Sequence, residues 1–273
     1  MTNAKKCKWC FLLLLPIFLI FASCKKEKQN SDEFQVREWK VDMNAAYTIP
    51  TNTGKTAHAW SLLYLMDNNK LYYDIYFNVP SVGDNLSAIK LYKGNAAENG
   101  TEFLSIDNPG FADNKAKGSL QLTQAQADSL KANGNYYMVV NSTQSPNGLV
   151  RGQVDKTVTY AIDVDLLASN ITPVAPVTTA NGKAYIRVLS DNSIITQVVI
   201  NNLPVTDALT TTNIIKTIGG ATLFPLAAVP ADYNIAKTAA SNAATVTSLK
   251  ADNLNILVKS TLYPNGLLKG TIR

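Results

Sequence analysis

The chain has 273 residues, of which 46% are hydrophobic and 16% charged, so it can bury one large or two ordinary cores and is not a disordered or coiled-coil protein. Its formal net charge is +5, but three of its 25 basic residues, Lys5, Lys6 and Lys8, lie in the first 23 positions, where there is no acid. Without residues 1–23 the chain has 22 basic and 20 acidic residues, a net charge of +2. This weak balance supplies no long-range field that attracts DNA or RNA, so we expect no nucleic-acid partner.

The N-terminus has the three parts of a secretory signal: a basic start, an apolar run over residues 9–21, and small residues. The run contains Pro16 and falls short of the about 20 apolar residues that a spanning helix needs. Ile20-Phe21-Ala22-Ser23-Cys24 resembles a bacterial lipobox, although leucine is usual where Phe21 stands. We therefore predict a signal peptide over residues 1–23 and acylation of Cys24, with palmitate among its acyl chains. Several acyl chains would hold the protein on the outer membrane or cell surface.

Cysteine usage agrees with this interpretation, because Cys7 and Cys10 lie within the predicted signal peptide and only Cys24 remains after cleavage. We expect no disulfide, zinc cluster or thiol nucleophile in the exported part. Residues 24–35 are mostly polar and are predicted to form a flexible tether.

From Phe34 onward, alternating apolar residues and turn signals every eight to twelve residues predict an all-β protein. The clearest hairpin runs from Ala59 to Val79. A four-residue loop, Asp67-Asn68-Asn69-Lys70, would pair its strands so that one face turns inward. That core-facing set is Trp60, Leu62 and Tyr64 opposite Phe77, Ile75 and Tyr73.

A second hairpin and one helix are also predicted in this region. Residues 136–143 and 149–154 form the hairpin, which reverses at Ser145-Pro146-Asn147-Gly148. Thr123-Gln124-Ala125-Gln126 has the spacing of a capping box, and Asn133-Gly134 is a stop signal, which together predict a helix of about two turns.

The chain then repeats itself at a spacing of about 120 residues, most clearly where Pro264-Asn265-Gly266-Leu267 echoes Pro146-Asn147-Gly148-Leu149. This spacing is typical of two tandem copies of one domain and too long for a solenoid unit. We predict domains over residues 36–156 and 157–273. Each is expected to be an antiparallel β-sandwich of Greek-key, immunoglobulin-like type with at most one short helix.

Four segments of the first copy, residues 59–60, 88–100, 122–130 and 146–154, together resemble the chordin-type (CHRD) domain. The second copy matches only at its hairpins and its end, so it resembles a divergent CHRD-like domain. The resemblance implies an antiparallel sandwich or barrel, export, and an interaction role outside the cell or in its envelope, and it does not imply an enzyme activity. Together with the lipobox-like N-terminus, it leads us to expect a bacterial, Bacteroidetes-like lipoprotein that acts as a non-catalytic binding or structural module of the cell envelope. Many bacterial members carry His-x-His-x-Gly where this chain has Lys90-Leu91-Tyr92-Lys93-Gly94, so no metal site and no cofactor is expected.

Catalytic chemistry has few candidates in this sequence. His58 is the sole histidine of the chain, and no cysteine is available to pair with it. The carboxylates Glu98, Glu102, Asp107 and Asp113 lie in one polar region, where solvation, weak calcium binding or a two-carboxylate hydrolase are the alternatives. The alternative function is therefore a secreted carbohydrate-active enzyme or its accessory subunit.

The best candidate for binding is the tyrosine-rich hairpin of the first copy. Tyr72, Asp74 and Tyr76 fall on the face opposite to Tyr73 and Phe77, which suits contact with a polysaccharide or a protein. The alternative is that these tyrosines pack beneath a neighbouring loop or the other domain. The second copy is predicted to have Thr196 and Ile200 in their place, which would confine the site to the first copy.

Overall fold

The computed structural model describes residues 33–52, 54–78, 83–107, 109–132 and 134–273. The predicted signal peptide, Cys24 and the predicted tether up to residue 32 lie outside these residues. Gln35–Arg273 forms one compact unit. In the part of the chain that the structure describes, no helix is long and apolar enough to cross a membrane.

The first half of this unit consists of antiparallel strands and one α-helix. Its strands are β1 (Gln35–Asn44), β2 (His58–Met66), β3 (Lys70–Phe77), β4 (Leu86–Lys93), β5 (Thr101–Asp107), β6 (Lys115–Gln121), β7 (Tyr136–Ser142) and β8 (Val150–Gln153). Helix α1 (Gln124–Lys131) precedes β7, and a 3-10 turn (Ala45–Tyr47) follows β1.

The second half repeats this plan. Its strands are β9 (Val158–Leu167), β10 (Asn181–Leu189), β11 (Ile194–Asn201), β12 (Leu209–Lys216), β13 (Thr222–Ala227), β14 (Lys237–Ala239), β15 (Leu254–Ser260) and β16 (Leu268–Thr271). Helix α2 (Ala243–Ala251) precedes β15, and two 3-10 turns lie at Ala168–Asn170 and Pro230–Asp232.

Each half is one eight-stranded antiparallel sheet, and the two strand orders are the same when shifted by eight. The first order is β5-β4-β7-β8-β1-β2-β3-β6, and the second is β13-β12-β15-β16-β9-β10-β11-β14. Only Asn44↔Arg151 joins β1 to β8, and only Lys269↔Leu167 joins β16 to β9. At these weak links each sheet divides into two four-stranded layers. The predicted all-β fold with two sandwich-like domains is confirmed.

The hydrophobic cores lie between the layers, as the burial of alternate residues requires. In the first half, Val41, Leu63 and Ile75 from one layer are buried in the same cluster as Ile89 and Met138 from the other. A separate cluster fills the second half. Full burial of one aliphatic side chain contributes about 1.5–3 kcal/mol to the free energy of unfolding. Each half therefore has a stabilising core of its own. Residues 33–273 contain no cysteine, so no disulfide adds to these cores.

Two local predictions are confirmed. Helix α1 begins after Thr123, whose hydroxyl accepts the Gln126 N–H while the Gln126 side chain accepts the Thr123 N–H. The β7–β8 hairpin reverses through the predicted Pro-Asn-Gly segment, with Gly148 at φ 127°. Both features depend on residues that are close in sequence, which explains why pattern alone found them.

The predicted register of the β2–β3 hairpin is wrong by one residue. Its loop has three residues rather than four, because Asn69 takes up the left-handed conformation at φ 64° and donates its N–H to the Met66 carbonyl. Trp60 therefore pairs with Tyr76 rather than with Phe77. A slip of one residue moves every side chain of a strand to the other face. Ala59, Ser61, Leu63 and Leu65 face the core, whereas the predicted inward set, Trp60, Leu62 and Tyr64, faces outward.

Candidate binding face

The outer surface of the layer β1-β2-β3-β6 is the candidate site, and we call it the aromatic face. Because side chains alternate along a strand, residues at every second position share this surface. They are Glu38, Lys40 and Asp42 on β1; His58, Trp60, Leu62 and Tyr64 on β2; Lys70, Tyr72, Asp74 and Tyr76 on β3; and Lys115 and Lys117 on β6.

A stacked pair of rings lies at the centre of this face. Trp60 and Tyr76 are directly opposite each other on β2 and β3, with ring centroids 4.1 Å apart and an interplanar angle of 13°. Trp60 is 44% exposed, although tryptophan is usually well buried. On the other side of Tyr76, the ammonium groups of Lys115 and Lys117 lie 5.4 and 5.9 Å from its ring centroid. The rings are thus held in place while a large aromatic surface stays accessible.

Asp74 anchors the polar part of the face. Its Oδ2 accepts a hydrogen bond from the Tyr76 hydroxyl at 3.2 Å and one from Lys117 Nζ at 2.6 Å. The hydrogen bond to Asp74, with the attraction of its charge, raises the pKa of Lys117. Asp74 Oδ1 is buried and has no hydrogen-bond partner among the described residues. The carboxylate therefore has spare acceptor capacity beneath the exposed side chain of Lys117.

The structure brings the three predicted binding residues together. Tyr72, Asp74 and Tyr76 lie in a row on the outer face of β3, and Lys70 Nζ lies 4.8 Å from the Tyr72 ring centroid. Sequence reasoning missed Trp60, because the wrong loop length placed it in the core. The signal that identifies it is Asn69, since asparagine readily adopts a positive φ at the end of a three-residue hairpin loop.

Two depressions open on the aromatic face. One, of about 350 Å³, is lined by Lys40, Asp42, Trp60 and Leu62 between β1 and β2. The other, of about 600 Å³, lies further along the same strands and is lined by residues that include Tyr64, Tyr72, Asp74 and Lys117. Both volumes fall within the range of small-ligand sites, about 300–1,000 Å³.

The second half carries different residues at the equivalent positions. Asn192, at φ 66°, takes the place of Asn69 in the β10–β11 turn, which sets the repeat at 123 residues. Tyr72 and Tyr76 therefore correspond to Ile195 and Val199. The predicted equivalents, Thr196 and Ile200, are wrong by one residue, and Thr196 is buried opposite Ile186 on the core side.

The first half covers part of the equivalent face of the second half, around Arg187 and Asp163. Arg187 of β10 is fully buried and donates hydrogen bonds to Asp163 Oδ1 at 2.8 Å and to the Thr48 carbonyl at 3.0 Å. Asp163 Oδ2 in turn accepts the Thr51 N–H at 2.8 Å. Burial lowers the pKa of Arg187, and the charge of Asp163 opposes that effect. The segment from Thr48 to Thr51 thus occupies part of the surface that is open in the first half, whereas Lys183 and Asp165 further along the strands stay partly exposed.

Three of the candidate catalytic residues, His58, Glu98 and Glu102, each have a partner of their own. His58 Nε2 lies 2.5 Å from Asp42 Oδ1 in a half-exposed pair at the rim of the aromatic face. Glu98 accepts the Asn95 N–H, and Glu102 pairs with Lys90. Asp107 ends β5, about 16 Å along the strand from Glu102. Asp113 lies in the turn before β6, at φ 48°.

The strand that replaces the family's histidine pattern is packed by aromatic and charged side chains. Tyr92 stacks on Tyr137 with centroids 5.1 Å apart, and Lys93 lies over Phe103. Within the described ranges, no group of three or more histidine, cysteine or acidic residues is arranged to hold a metal ion.

Two buried aspartates, one in each half, were not predicted from the sequence. Asp84 accepts hydrogen bonds from Ser142 Oγ, Thr143 Oγ1 and the Gln144 N–H. Burial raises the pKa of this carboxyl, but those bonds and the charge of Lys55 outweigh it, so the pKa is lowered. In the second half, Asp207 accepts hydrogen bonds from Thr261 Oγ1 and the Leu262 N–H, and its pKa is likewise lowered. The repeated pattern Asp-x-Leu with a later Ser-Thr, at 84–86 with 142–143 and at 207–209 with 260–261, was the available signal.

Comparison with known families matches residues 39–154 to the CHRD domain. No curated protein and no solved structure matches the chain. The matched segment begins in β1, ends just after β8 and therefore contains all of the aromatic face except Glu38. The CHRD domain is a family of non-enzymatic modules. The similarity to the CHRD domain thus covers residues 39–154, which lie in the first half of the described unit.

Proposed function

We propose that this protein is exported, is held on the outer membrane or cell surface by a lipid on Cys24, and acts there as a non-catalytic binding module. The basic start, short apolar run and lipobox-like residues 20–24 support export and acylation. The match of residues 39–154 to a non-enzymatic domain family supports a binding role.

The partner-binding surface in this proposal is the aromatic face. The observation that carries it is the exposed Trp60–Tyr76 stack beside the Asp74 carboxylate. Large aromatic rings with polar groups at their edges are the residues that dominate binding energy in interfaces. The equivalent surface of the second half supports the assignment, because a segment of the same chain already covers part of it.

Anchoring is tested by protease shaving of intact cells, with the Cys24→Ala variant beside the wild type and an antibody to the second half. We expect the wild type to be digested on whole cells and the variant to appear in the soluble fraction. Protection until the outer membrane is opened would instead place the protein on the periplasmic side. Membrane attachment of Cys24→Ala equal to that of the wild type would overturn the lipid anchor.

The face is tested with the double variant Tyr72→Ala/Tyr76→Ala in a pull-down from envelope fractions. We expect capture of the envelope partner to be lost while the thermal unfolding midpoint stays within a few degrees of the wild type. Ile218→Ala is the matched control, because this side chain is 87% exposed on the second half. Unfolding of the double variant would show that the tyrosines serve packing rather than binding.

A further inference from the structure

The free side of Trp60 is a ring surface with a depression in front of it. The indole stacks on Tyr76 of β3, and β2 lies between β3 and β1. The depression of about 350 Å³ lined by Lys40 and Asp42 of β1 is therefore on the opposite side of the indole. We infer that this depression binds a sugar ring of a neutral polysaccharide, an inference that rests on the proposed role of the aromatic face.

The chemistry of the depression matches a pyranose with equatorial hydroxyls. Such a sugar has one apolar C–H face and a rim of hydroxyl groups, each of which donates and accepts hydrogen bonds. The flat indole of Trp60 suits the apolar face. Lys40 supplies donors and Asp42 supplies acceptors at the edge, where Asp42 is already oriented by His58.

The charge of the aromatic face argues against an acidic polymer. The face carries four lysines and three carboxylates: Lys40, Lys70, Lys115 and Lys117 against Glu38, Asp42 and Asp74. The pair Lys117–Asp74 neutralises part of this set. A nearly balanced surface has no field that selects polyanions, so hydroxyl-rich neutral glycans are the favoured ligand.

The second depression indicates that the ligand is a chain rather than a single sugar. Tyr64, which lines the depression of about 600 Å³, is four residues along β2 from Trp60. At about 3.3 Å per residue, the two positions are about 13 Å apart, which exceeds the size of one sugar ring. Affinity should therefore rise with oligosaccharide length.

The tryptophan content of this chain allows a direct test. In the full chain carrying Trp9→Phe, the remaining indoles are Trp39, which is 3% exposed, and Trp60. Acrylamide quenching of fluorescence then reports mainly on Trp60. We expect hexamers of glucose or N-acetylglucosamine to protect Trp60, the corresponding dimers to protect it weakly, and polygalacturonate to have no effect.

Calorimetry with the same hexamers tests the residues. We expect Trp60→Ala to weaken binding at least about tenfold, Trp60→Phe to weaken it less, and Ile218→Ala to leave it unchanged. If no neutral hexamer protects Trp60 but Trp60→Ala still loses envelope capture, the ligand is not a neutral glycan, although the aromatic face still binds a partner. Envelope capture unaffected by Trp60→Ala would overturn the proposed binding face itself.

Discussion

Removal of the Asp163 carboxylate should destabilise the protein strongly, because it leaves a buried guanidinium without its counter-charge. Arg187 is fully buried, and its side chain pairs with Asp163 at 2.8 Å. In Asp163→Ala, Arg187 would retain hydrogen bonds only to backbone carbonyls, those of Ile162, Ile186 and Thr48. Breaking a buried ion pair from one side costs about 3–5 kcal/mol.

Urea unfolding monitored by circular dichroism measures this cost. With an m-value of about 3 kcal/mol/M, the midpoint should fall by about 1–2 M. Asp165→Ala is the matched control on the same strand, because Asp165 is 70% exposed and its pair with Lys183 should contribute at most about 1 kcal/mol. Asp163→Asn removes the charge but keeps the shape of the side chain, so its urea midpoint should lie between those of Asp163→Ala and Asp165→Ala. Equal midpoints for Asp163→Ala and Asp165→Ala would refute the reasoning.

Two further predictions concern stability. The pKa values of Asp84 and Asp207 are lowered in the folded state, so the stability that they contribute is present above the ordinary carboxyl pKa of about 4 and is lost as the pH falls through the lowered values. Urea midpoints measured from pH 6 to pH 3 should fall less steeply in Asp84→Asn/Asp207→Asn than in the wild type, and parallel curves would contradict this. Gly100→Ala should cost about 3 kcal/mol, because its Cβ would lie 1.6 Å from the Lys93 carbonyl oxygen. Gly54→Ala, whose Cβ meets no atom within 4 Å but whose φ is +80°, should cost only about 1 kcal/mol in the same assay.

The duplicated halves use the same sheet surface in two ways. In the second half, Arg187 and Asp163 bind the segment Thr48–Thr51. At the equivalent positions, 123 residues earlier, the first half has Tyr64 and Lys40, which cannot reproduce that ion pair. The divergence therefore fits one face that joins the two halves and another that is open to a partner.

Features that depend on neighbours in sequence were predictable. The alternation of apolar residues, the Thr123 capping box and the Pro-Asn-Gly reversal each act within a few residues, and the internal repeat is visible as text. These patterns were sufficient for the all-β class, the short helix and the outward position of Tyr72, Asp74 and Tyr76. The predicted signal peptide and the lipid on Cys24 also come from sequence alone and stay predictions.

Only the tertiary structure decided which residues surround that site. The β2–β3 loop is one residue shorter than predicted, because Asn69 adopts the left-handed conformation. Since side chains in a strand alternate with a period of two, this difference places Trp60 on the surface rather than in the core. Similarly, no local pattern shows that Thr48 and Thr51 bind Arg187 and Asp163, more than 110 residues away. Such contacts depend on how whole sheets pack. A surface that is buried by a remote segment leaves no periodic signal in the sequence of the surface or of the segment.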